Sequence, residues 1–210
     1  MEEIAIIGGG GHAKVVISIV QKMGRYRIVG YTDLKNNGSI LGVPFLGGDR
    51  ELGLLASGPE RLSAVLAVGQ VGLGKLRSAL CARLRSFDLN FPLIASPDAI
   101  VSNAASCGEG VVVMDGAVIN AGASIGQGAI VNTNSTIEHD SVLSDWVHVG
   151  PGATICGGVT IGQFSMIGAG ATVIEGIEIA SGCIIGAGAT VVRSLIEPGV
   201  YVGCPALRIK

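Results

Sequence analysis

One short, charge-bearing segment stands out as able to do acid–base chemistry. His139 is preceded by Glu138 and followed by Asp140, in a stretch otherwise nearly devoid of charge. A carboxylate that accepts a hydrogen bond from one imidazole nitrogen fixes the tautomer and leaves the other nitrogen free as a base. A solvated surface residue is the simpler interpretation of a histidine alone. The flanking carboxylates are what favour a general base at His139.

A second motif is typical of phosphate binding. Gly8, Gly10 and Ala13 form a Gly-x-Gly-x-x-Ala pattern, and Asp33 follows at the end of a second predicted strand. Glycine lets the backbone approach a diphosphate, the helix N-terminus supplies amide donors, and the acidic residue can accept hydrogen bonds from a ribose or base. Because the second mononucleotide half is missing, a single nucleotide is favoured over a dinucleotide. A glycine-rich turn that merely lets helix and strand pack is the alternative.

The element that positions His139 is a repeat. From Val101 to Val191 every sixth residue is aliphatic, except for Cys107, and a compact residue precedes each by two positions. A six-residue period fits neither a helix nor a hairpin meander, but it fits a solenoid of short strands with a corner after each. The compact and the aliphatic residue then share the inward face of a strand. Three hexads close one triangular coil, so that each residue stacks on the residue eighteen positions later.

This stacking places Gly157 one coil above His139. The backbone N–H of Gly157 can therefore donate to an oxyanion near the histidine. His148 lies nine residues after His139, which is half a coil, so the two imidazoles do not stack within one subunit. His148 precedes the inward Val149, so we expect it to face outward, and only a neighbouring subunit could bring the two histidines together.

The N-terminal residues predict a small α/β domain with a parallel sheet. Strands are expected at Glu3–Ile7, Arg27–Thr32 and Leu62–Val68, and helices at about 13–23 and 73–84, the latter with Leu73, Leu76, Leu80 and Leu84 inside. We expect two domains, residues 1–95 for the nucleotide and residues 96–210 for the repeats. The second ends in a capping tail, Glu197–Ala206, because the last coil would otherwise expose an apolar cross-section.

Composition narrows the function classes. The chain has 210 residues and a net charge of −2, which argues against nucleic acid or an acidic membrane as partner. Five cysteines without disulfide or zinc spacing, and no basic segment at the N-terminus, predict a cytoplasmic protein without a metal. The uncharged run 146–174 follows the six-residue pattern, so a membrane helix is the poorer interpretation. Outward Ile130, Trp146 and Met166 are expected to form a contact face for other subunits.

The whole chain resembles the bacterial nucleotide-sugar acetyltransferases of the sialic acid O-acetyltransferase-like family. Three segments carry the resemblance, in order and spacing: Ile7–Val16, Ile137–Asp140 and Gly203–Ala206. The resemblance implies a Rossmann-like domain followed by a left-handed parallel β-helix of hexapeptide repeats, a homotrimer with sites between subunits, and acetyl-CoA as co-substrate. It also implies a nucleotide sugar as acceptor, namely a UDP- or dTDP-linked 4-amino-4,6-dideoxy sugar.

Roles for individual residues follow from the same resemblance. His139 would be the general base, Asp140 would orient it, and the amide of Gly157 would bind the oxyanion. The nucleotide sugar would be held by Gly10, Gly11, His12, Lys14, Asp33, Leu34, Lys35 and Gly69. Acetyl-CoA would lie against His148, Gly157, Ala169, Ala187 and Pro205.

Two rival functions remain at this point. The same residues could acetylate a hydroxyl of a sialic acid or related sugar, for which the base matters more because a hydroxyl is the weaker nucleophile. A non-catalytic scaffold that binds nucleotide sugars is the alternative outside enzymes, because stability alone explains the hexads. A scaffold, however, does not require His139, Asp140 or Gly157.

Overall fold

The N-terminal part of the chain is a parallel sheet with helices on both sides. The computed structural model describes residues 1–58 and 61–210. Its first elements are β1 (Glu2–Ile7), α1 (Gly11–Met23), β2 (Tyr26–Thr32), β3 (Phe45–Gly47), α2 (Asp49–Ala56), β4 (Ser63–Leu66) and α3 (Lys75–Leu84), followed by a 3-10 turn at Arg85–Phe87. The strand order is β3-β2-β1-β4, with every pair parallel. The three predicted strands are confirmed, and β3 is an additional one.

Alternation along β1 divides the core of this sheet into two halves. Ile4 and Ile6 pack on the side of α1, whereas Ala5 and Ile7 pack on the side of α2 and α3. Because successive residues of a strand point to opposite faces, an uninterrupted apolar strand is what a sheet covered on both sides requires.

The predicted solenoid is a left-handed parallel β-helix with three faces. Face 1 is formed by Ile94–Ala95, Val112–Val113, Ile130–Val131, His148–Val149, Met166–Ile167, Cys183–Ile185, Gly199–Val202 and Leu207–Arg208. Face 2 is formed by Ile100–Val101, Val118–Ile119, Thr136–Ile137, Thr154–Ile155, Thr172–Val173 and Thr190–Val191. Face 3 is formed by Ser106–Cys107, Ser124–Ile125, Val142–Leu143, Thr160–Ile161 and Glu178–Ile179. The inward hexad residues fill the interior, as the period predicts.

The corners between faces need a left-handed backbone, and most of them use glycine. Four side-chain residues take the same conformation, with φ between 54° and 64°: Asn134, Asp140, Trp146 and Phe164. Asparagine and aspartate tolerate this region, but a bulky residue there is unusual. Trp146 and Phe164 are therefore the unusual members of this set.

Face 1 is covered by the N-terminal domain of the same chain. Ile130 is fully buried in the cluster that contains α1, Trp146 is 5% exposed in the cluster that contains α3, and Met166 Sδ accepts a hydrogen bond from Gly72 N–H. The expectation that these three residues form a contact face for other subunits is therefore wrong. They are outward from the β-helix, but they form the seam between two parts of one chain.

Two further contacts fix this seam. At the end of α1, Lys22 Nζ bridges Asp98 and Asp115 at 2.8 and 2.6 Å. In α3, Leu76 is 70% exposed, so its predicted inward position is wrong, and the neighbouring Arg77 is buried together with Cys81 and Leu84. Arg77 contacts the backbone carbonyl of Gly128 and the indole ring of Trp146. These groups favour a guanidinium over an aliphatic side chain at this position.

The expected boundary between residues 95 and 96 follows the first strand of face 1, because Ile94–Ala95 pairs with Val112–Val113. The division into residues 1–95 and 96–210 stays a prediction. At the other end, Gly199–Val202 continues face 1 and Leu207–Arg208 pairs with it in the antiparallel direction.

Candidate functional site

The glycine loop and Asp33 come together as the sequence predicts. The loop joins β1 to α1, with Gly10 directly before the helix. Asp33 Oδ2 accepts a hydrogen bond from Gly9 N–H at 2.6 Å, and Oδ1 accepts one from Leu34 N–H at 2.6 Å. A β-carbon at position 9 would lie 2.6 Å from the ring of Tyr31, so only glycine fits there. Asp33 thus fixes the shape of the loop at the helix N-terminus.

Tyr31 and Asn37 complete this loop, and the motif did not single them out. Asn37 Nδ2 donates to the Gly9 carbonyl at 3.2 Å, Asn37 N–H donates to the Tyr31 hydroxyl at 2.9 Å, and that hydroxyl donates to the Gly38 carbonyl at 2.8 Å. The only sequence signal was the turn-forming Asn-Asn-Gly after the second strand.

The rim of the loop is open to solvent. Gly10, Gly11, Lys14, Leu34 and Lys35 are all exposed, with Leu34 at 99%. Free amides at the start of α1 and two flanking lysines give this rim a positive potential, which suits an anionic ligand.

His12 lies behind that rim. A β-carbon at Gly69 would be 3.4 Å from His12 Cβ, so the imidazole packs against the chain that leaves β4. Burial, together with the charges of Arg77 and His148, lowers the pKa of His12 to about 4. His12 is therefore neutral at pH 7.

At the corner between faces 2 and 3 the structure assembles the predicted dyad. His139 Nδ1 lies 2.9 Å from Asp140 Oδ2. Since a carboxylate accepts, Nδ1 carries the proton and the Nε2 lone pair remains free. A β-carbon at Gly157 would lie 2.7 Å from His139 Nε2, which places the 157 backbone against the ring. The His139 side chain is 66% exposed, so this chain alone does not enclose it.

His148 is not part of that dyad. It lies on face 1, 7% exposed, beneath the chain segment after β4. Nδ1–H donates to the Gln70 carbonyl at 3.1 Å, and Asn132 Nδ2 donates to Nε2 at 3.1 Å. Burial lowers the pKa of His148 to about 4 despite the Gln70 bond. Its side chain points out of the β-helix as predicted, yet it is covered by protein.

The three other residues expected to contact acetyl-CoA form a column. Ala169, Ala187 and Pro205 lie at the corner between faces 1 and 2, are exposed, and follow one another by one coil. Backbone bonds hold the column, with Gly188 N–H donating to the Ala169 carbonyl at 2.8 Å. In one chain this column and His139 lie at different corners of the triangle, and the glycine loop belongs to the domain that covers face 1.

Other kinds of site find no support. Among residues 1–58 and 61–210, no group of three His, Cys, Asp or Glu side chains could hold a metal ion. No helix within that same part of the chain is long and apolar enough to cross a membrane. All five cysteines are free thiols.

Comparison with known proteins gives matches over both halves of the chain. Residues 3–84 match the family described as the PglD N-terminal domain, and residues 158–193 match the bacterial transferase hexapeptide (six repeats). Among curated proteins, UDP-N-acetylbacillosamine N-acetyltransferase of Bacillus subtilis is 36% identical over 122 residues. That alignment covers 54% of this chain and 52% of the relative, so the chain matches about half of that protein's length.

Two solved structures match nearly end to end. One is perosamine N-acetyltransferase from Caulobacter crescentus in complex with CoA and GDP-perosamine, a histidine-to-asparagine variant. It is 36% identical, with a TM-score of 0.93, and the match covers 100% of this chain and 98% of that chain. The other is the acetyltransferase domain of PglB from Neisseria gonorrhoeae in complex with acetyl coenzyme A. It is 35% identical, with a TM-score of 0.91 and 99% coverage of both chains.

Proposed function

This chain belongs to the acetyl-CoA-dependent sugar N-acetyltransferases of the hexapeptide-repeat class, and we propose that it acetylates the amino group of a nucleotide-linked 4-amino-4,6-dideoxy sugar. The single observation that carries the proposal is the pairing of a mononucleotide-type glycine loop with the His139–Asp140 dyad on one chain.

In the proposed reaction the sugar amine attacks the thioester carbonyl carbon of acetyl-CoA directly. His139 Nε2 takes the proton of the attacking amine, and its Nδ1–H bond to Asp140 stabilises the imidazolium that forms. The amide of Gly157 donates to the oxyanion of the tetrahedral intermediate. Collapse breaks the carbon–sulfur bond, and the proton held by His139 passes to the thiolate of CoA. The products are the acetamido sugar and CoA.

The sulfur chemistry of the chain favours this direct route. Cys156 adjoins Gly157, but burial and the carboxylates of Glu175 and Glu138 raise the pKa of its thiol. A protonated thiol is a poor nucleophile. An acyl-cysteine intermediate therefore has no support at this position.

We further propose that the working enzyme is a homotrimer with each site built between subunits. Three features support this: the dyad is exposed, it lies at a corner away from the covered face 1, and the column of Ala169, Ala187 and Pro205 lies at another corner. A neighbour could bring its own glycine loop or column against His139. Free cysteines and the need for acetyl-CoA fit a reducing cytoplasm, which we propose as the location.

The first test incubates the protein with acetyl-CoA and 4-amino sugars linked to UDP, dTDP and GDP, beside their 4-hydroxy analogues. GDP is included because the Caulobacter relative is in complex with GDP-perosamine. We expect an acetyl mass gain on an amino sugar only, lost in His139→Ala by about 10²–10⁴-fold in turnover. Gain on the hydroxyl analogue, or full turnover by His139→Ala, would contradict the proposal.

A mixing experiment tests the shared site. His139→Ala and Asp33→Ala chains are co-expressed and assayed at a nucleotide-sugar concentration well below KM, where each variant alone is expected to retain about a tenth of wild-type activity or less. If each site takes its histidine and its glycine loop from different chains, random mixing restores about a quarter of the sites. Absence of recovery in oligomers shown to contain both chains would contradict a site whose histidine and glycine loop come from different chains.

A further inference from the structure

A buried cation at the seam has no part in the mechanism so far. Arg77 of α3 is 1% exposed, and its Nη1 donates to the Gly128 carbonyl at 2.6 Å. Its guanidinium carbon lies 5.7 Å from the centre of the Trp146 ring. The remaining nitrogens, Nε and Nη2, have no hydrogen-bond partner among the described residues.

Arg77 also has no carboxylate partner in the part of the chain that the structure describes, since none of the ion pairs there includes it. Burial lowers its pKa only to about 10, so it remains charged at neutral pH. A buried cation without an anion is unfavourable, and replacement by an uncharged side chain often leaves stability equal or higher. Stability alone does not explain this arginine.

Arg77 is connected to the glycine loop through His12 and the segment before α3. Its charge acts on His12, the second residue of α1, and on His148. His12 packs on Gly69, and the segment from there to α3 contributes the Gln70 carbonyl that His148 binds. Both imidazoles are neutral, so Arg77 carries the net charge of this buried group, and His12 follows directly after the exposed Gly10 and Gly11.

We propose that Arg77 is a positioning residue for the nucleotide sugar, whose diphosphate supplies the anion that the buried guanidinium lacks. The inference rests on the function proposed above. The diphosphate binds the amides at the start of α1, and the charge of Arg77 acts on it through protein of low dielectric, where screening by salt is weak. Lys14 and Lys35 on the exposed rim add attraction that salt does screen.

The proposal predicts opposite changes in stability and binding. Arg77→Gln keeps a donor for the Gly128 carbonyl but removes the charge, so its melting temperature is expected to equal or exceed that of the wild type. Its affinity for a nucleoside diphosphate is expected to fall about tenfold. Lys75→Gln removes an exposed charge from the same helix and is the matched control, with an expected affinity within about threefold of wild type because salt screens a surface charge. If the role of Arg77 were purely structural, Arg77→Gln would lower the melting temperature and leave the nucleotide affinity of the folded protein unchanged.

Calorimetric titration of the full-length protein with UDP, dTDP and GDP measures the affinity, and differential scanning calorimetry measures the stability. Acetyl-CoA is titrated as a second ligand, whose affinity should change less than about twofold. If Arg77→Gln does not fold, Arg77→Met is the second neutral variant. As an independent readout, NMR titration of His12 should show its pKa rising when the charge at residue 77 is removed.

The proposal is overturned if a folded neutral variant binds each nucleoside diphosphate as the wild type does, or if none of the three binds the wild type. It is equally overturned if Lys75→Gln loses as much affinity as Arg77→Gln. Failure of the proposed function is a different result, namely no acetyl transfer to any amino sugar by wild-type protein that binds a nucleoside diphosphate in an Arg77-dependent way.

Discussion

Gly157 lies against the imidazole of His139, one coil above it. A β-carbon at position 157 would be 2.7 Å from both Cε1 and Nε2 of the ring, and Gly158 N–H donates to the His139 carbonyl at 2.9 Å. Real β-carbons do not approach other atoms so closely. The observed position of the His139 ring therefore requires glycine at position 157. The hexad repeat makes this pairing possible because it stacks them in register.

Gly157→Ala is therefore expected to displace the His139 ring rather than to unfold the coil. Misplacing a catalytic group by about 1 Å can cost about 10²-fold in rate, and we expect a loss of that order in kcat. The affinity for acetyl-CoA, measured by calorimetry, serves as control and should change little. Wild-type turnover by a correctly folded Gly157→Ala protein would show that the ring does not act where the structure places it.

Asp140 has a left-handed backbone at its corner, with φ 59°. The equivalent positions in the coils below and above are glycines, Gly122 and Gly158. Asp140→Gly should relieve this backbone, so that the melting temperature holds or rises, while kcat falls about 10²–10⁴-fold because His139 loses its carboxylate. Asn134→Gly is the matched control, at a corner of φ 54°. It should show the same stability change with normal turnover. Equal activity in both variants would contradict a role for Asp140.

Stability should fall in mild acid because two histidines are buried neutral. The folded pKa of His12 and of His148 is about 4, below the ordinary value of 6.5. The unfolded chain therefore binds more protons between these values. The stabilisation is complete above pH 6.5 and is lost as pH falls towards 4. Each histidine contributes a slope of up to about 1.4 kcal/mol per pH unit.

Urea unfolding at a series of pH values checks this slope. His148→Gln, which can still donate to the Gln70 carbonyl, should make the dependence shallower because one titrating group is removed. An unfolding free energy that stays constant from pH 7 to pH 4.5 would contradict the buried neutral state of both rings.

Trp146 tests the seam between the domains. Its ring is 5% exposed and packs over Gly128, where a β-carbon would lie 2.3 Å from the indole. Trp146→Ala should cost about 3–5 kcal/mol by leaving a cavity. The oligomeric state, measured by light scattering, should not change. Dissociation of the oligomer without loss of subunit stability would instead indicate that this residue contacts another subunit.

Asp33 tests the glycine loop. Asp33→Asn loses charge and one of the two acceptor oxygens that bind Gly9 and Leu34. Charge-assisted bonds are about twice as strong as neutral ones, so we expect the KM for the nucleotide sugar to rise about tenfold with the KM for acetyl-CoA unchanged. Asp98→Asn, an exposed aspartate on the seam, is the control. A rise in both KM values would indicate a general loss of structure.

The β-helix was predictable because its signal is local. Ile137 and Val149 must point inward whenever the period is six, and both are fully buried. The dyad followed from neighbouring residues, and Gly157 followed from the length of one coil. The strand before the glycine loop and the helix after it were also predictable, because the apolar patterns of both elements directly flank the motif.

What the sequence did not predict depends on contacts between distant segments. His148 and Trp146 point outward from the β-helix, but only the docked N-terminal domain determines that they are buried. Helical periodicity assigned Leu76 to the interior of α3, whereas the Gly128 carbonyl and an indole favour Arg77 there. These partners lie more than fifty residues from Arg77 in the sequence, and no local pattern carries that information.

The antiparallel final strand affects whether the β-helices of two molecules can stack end to end. A parallel β-helix ends in a row of unpaired backbone groups, on which the first coil of another molecule could add and so propagate a fibre. Here Leu207–Arg208 runs antiparallel to Gly199–Val202, and Arg208 binds Glu197 and the Pro198 carbonyl. A strand of opposite direction, held by an exposed ion pair, does not template another parallel coil. The last two strands thus close face 1 against the addition of another coil.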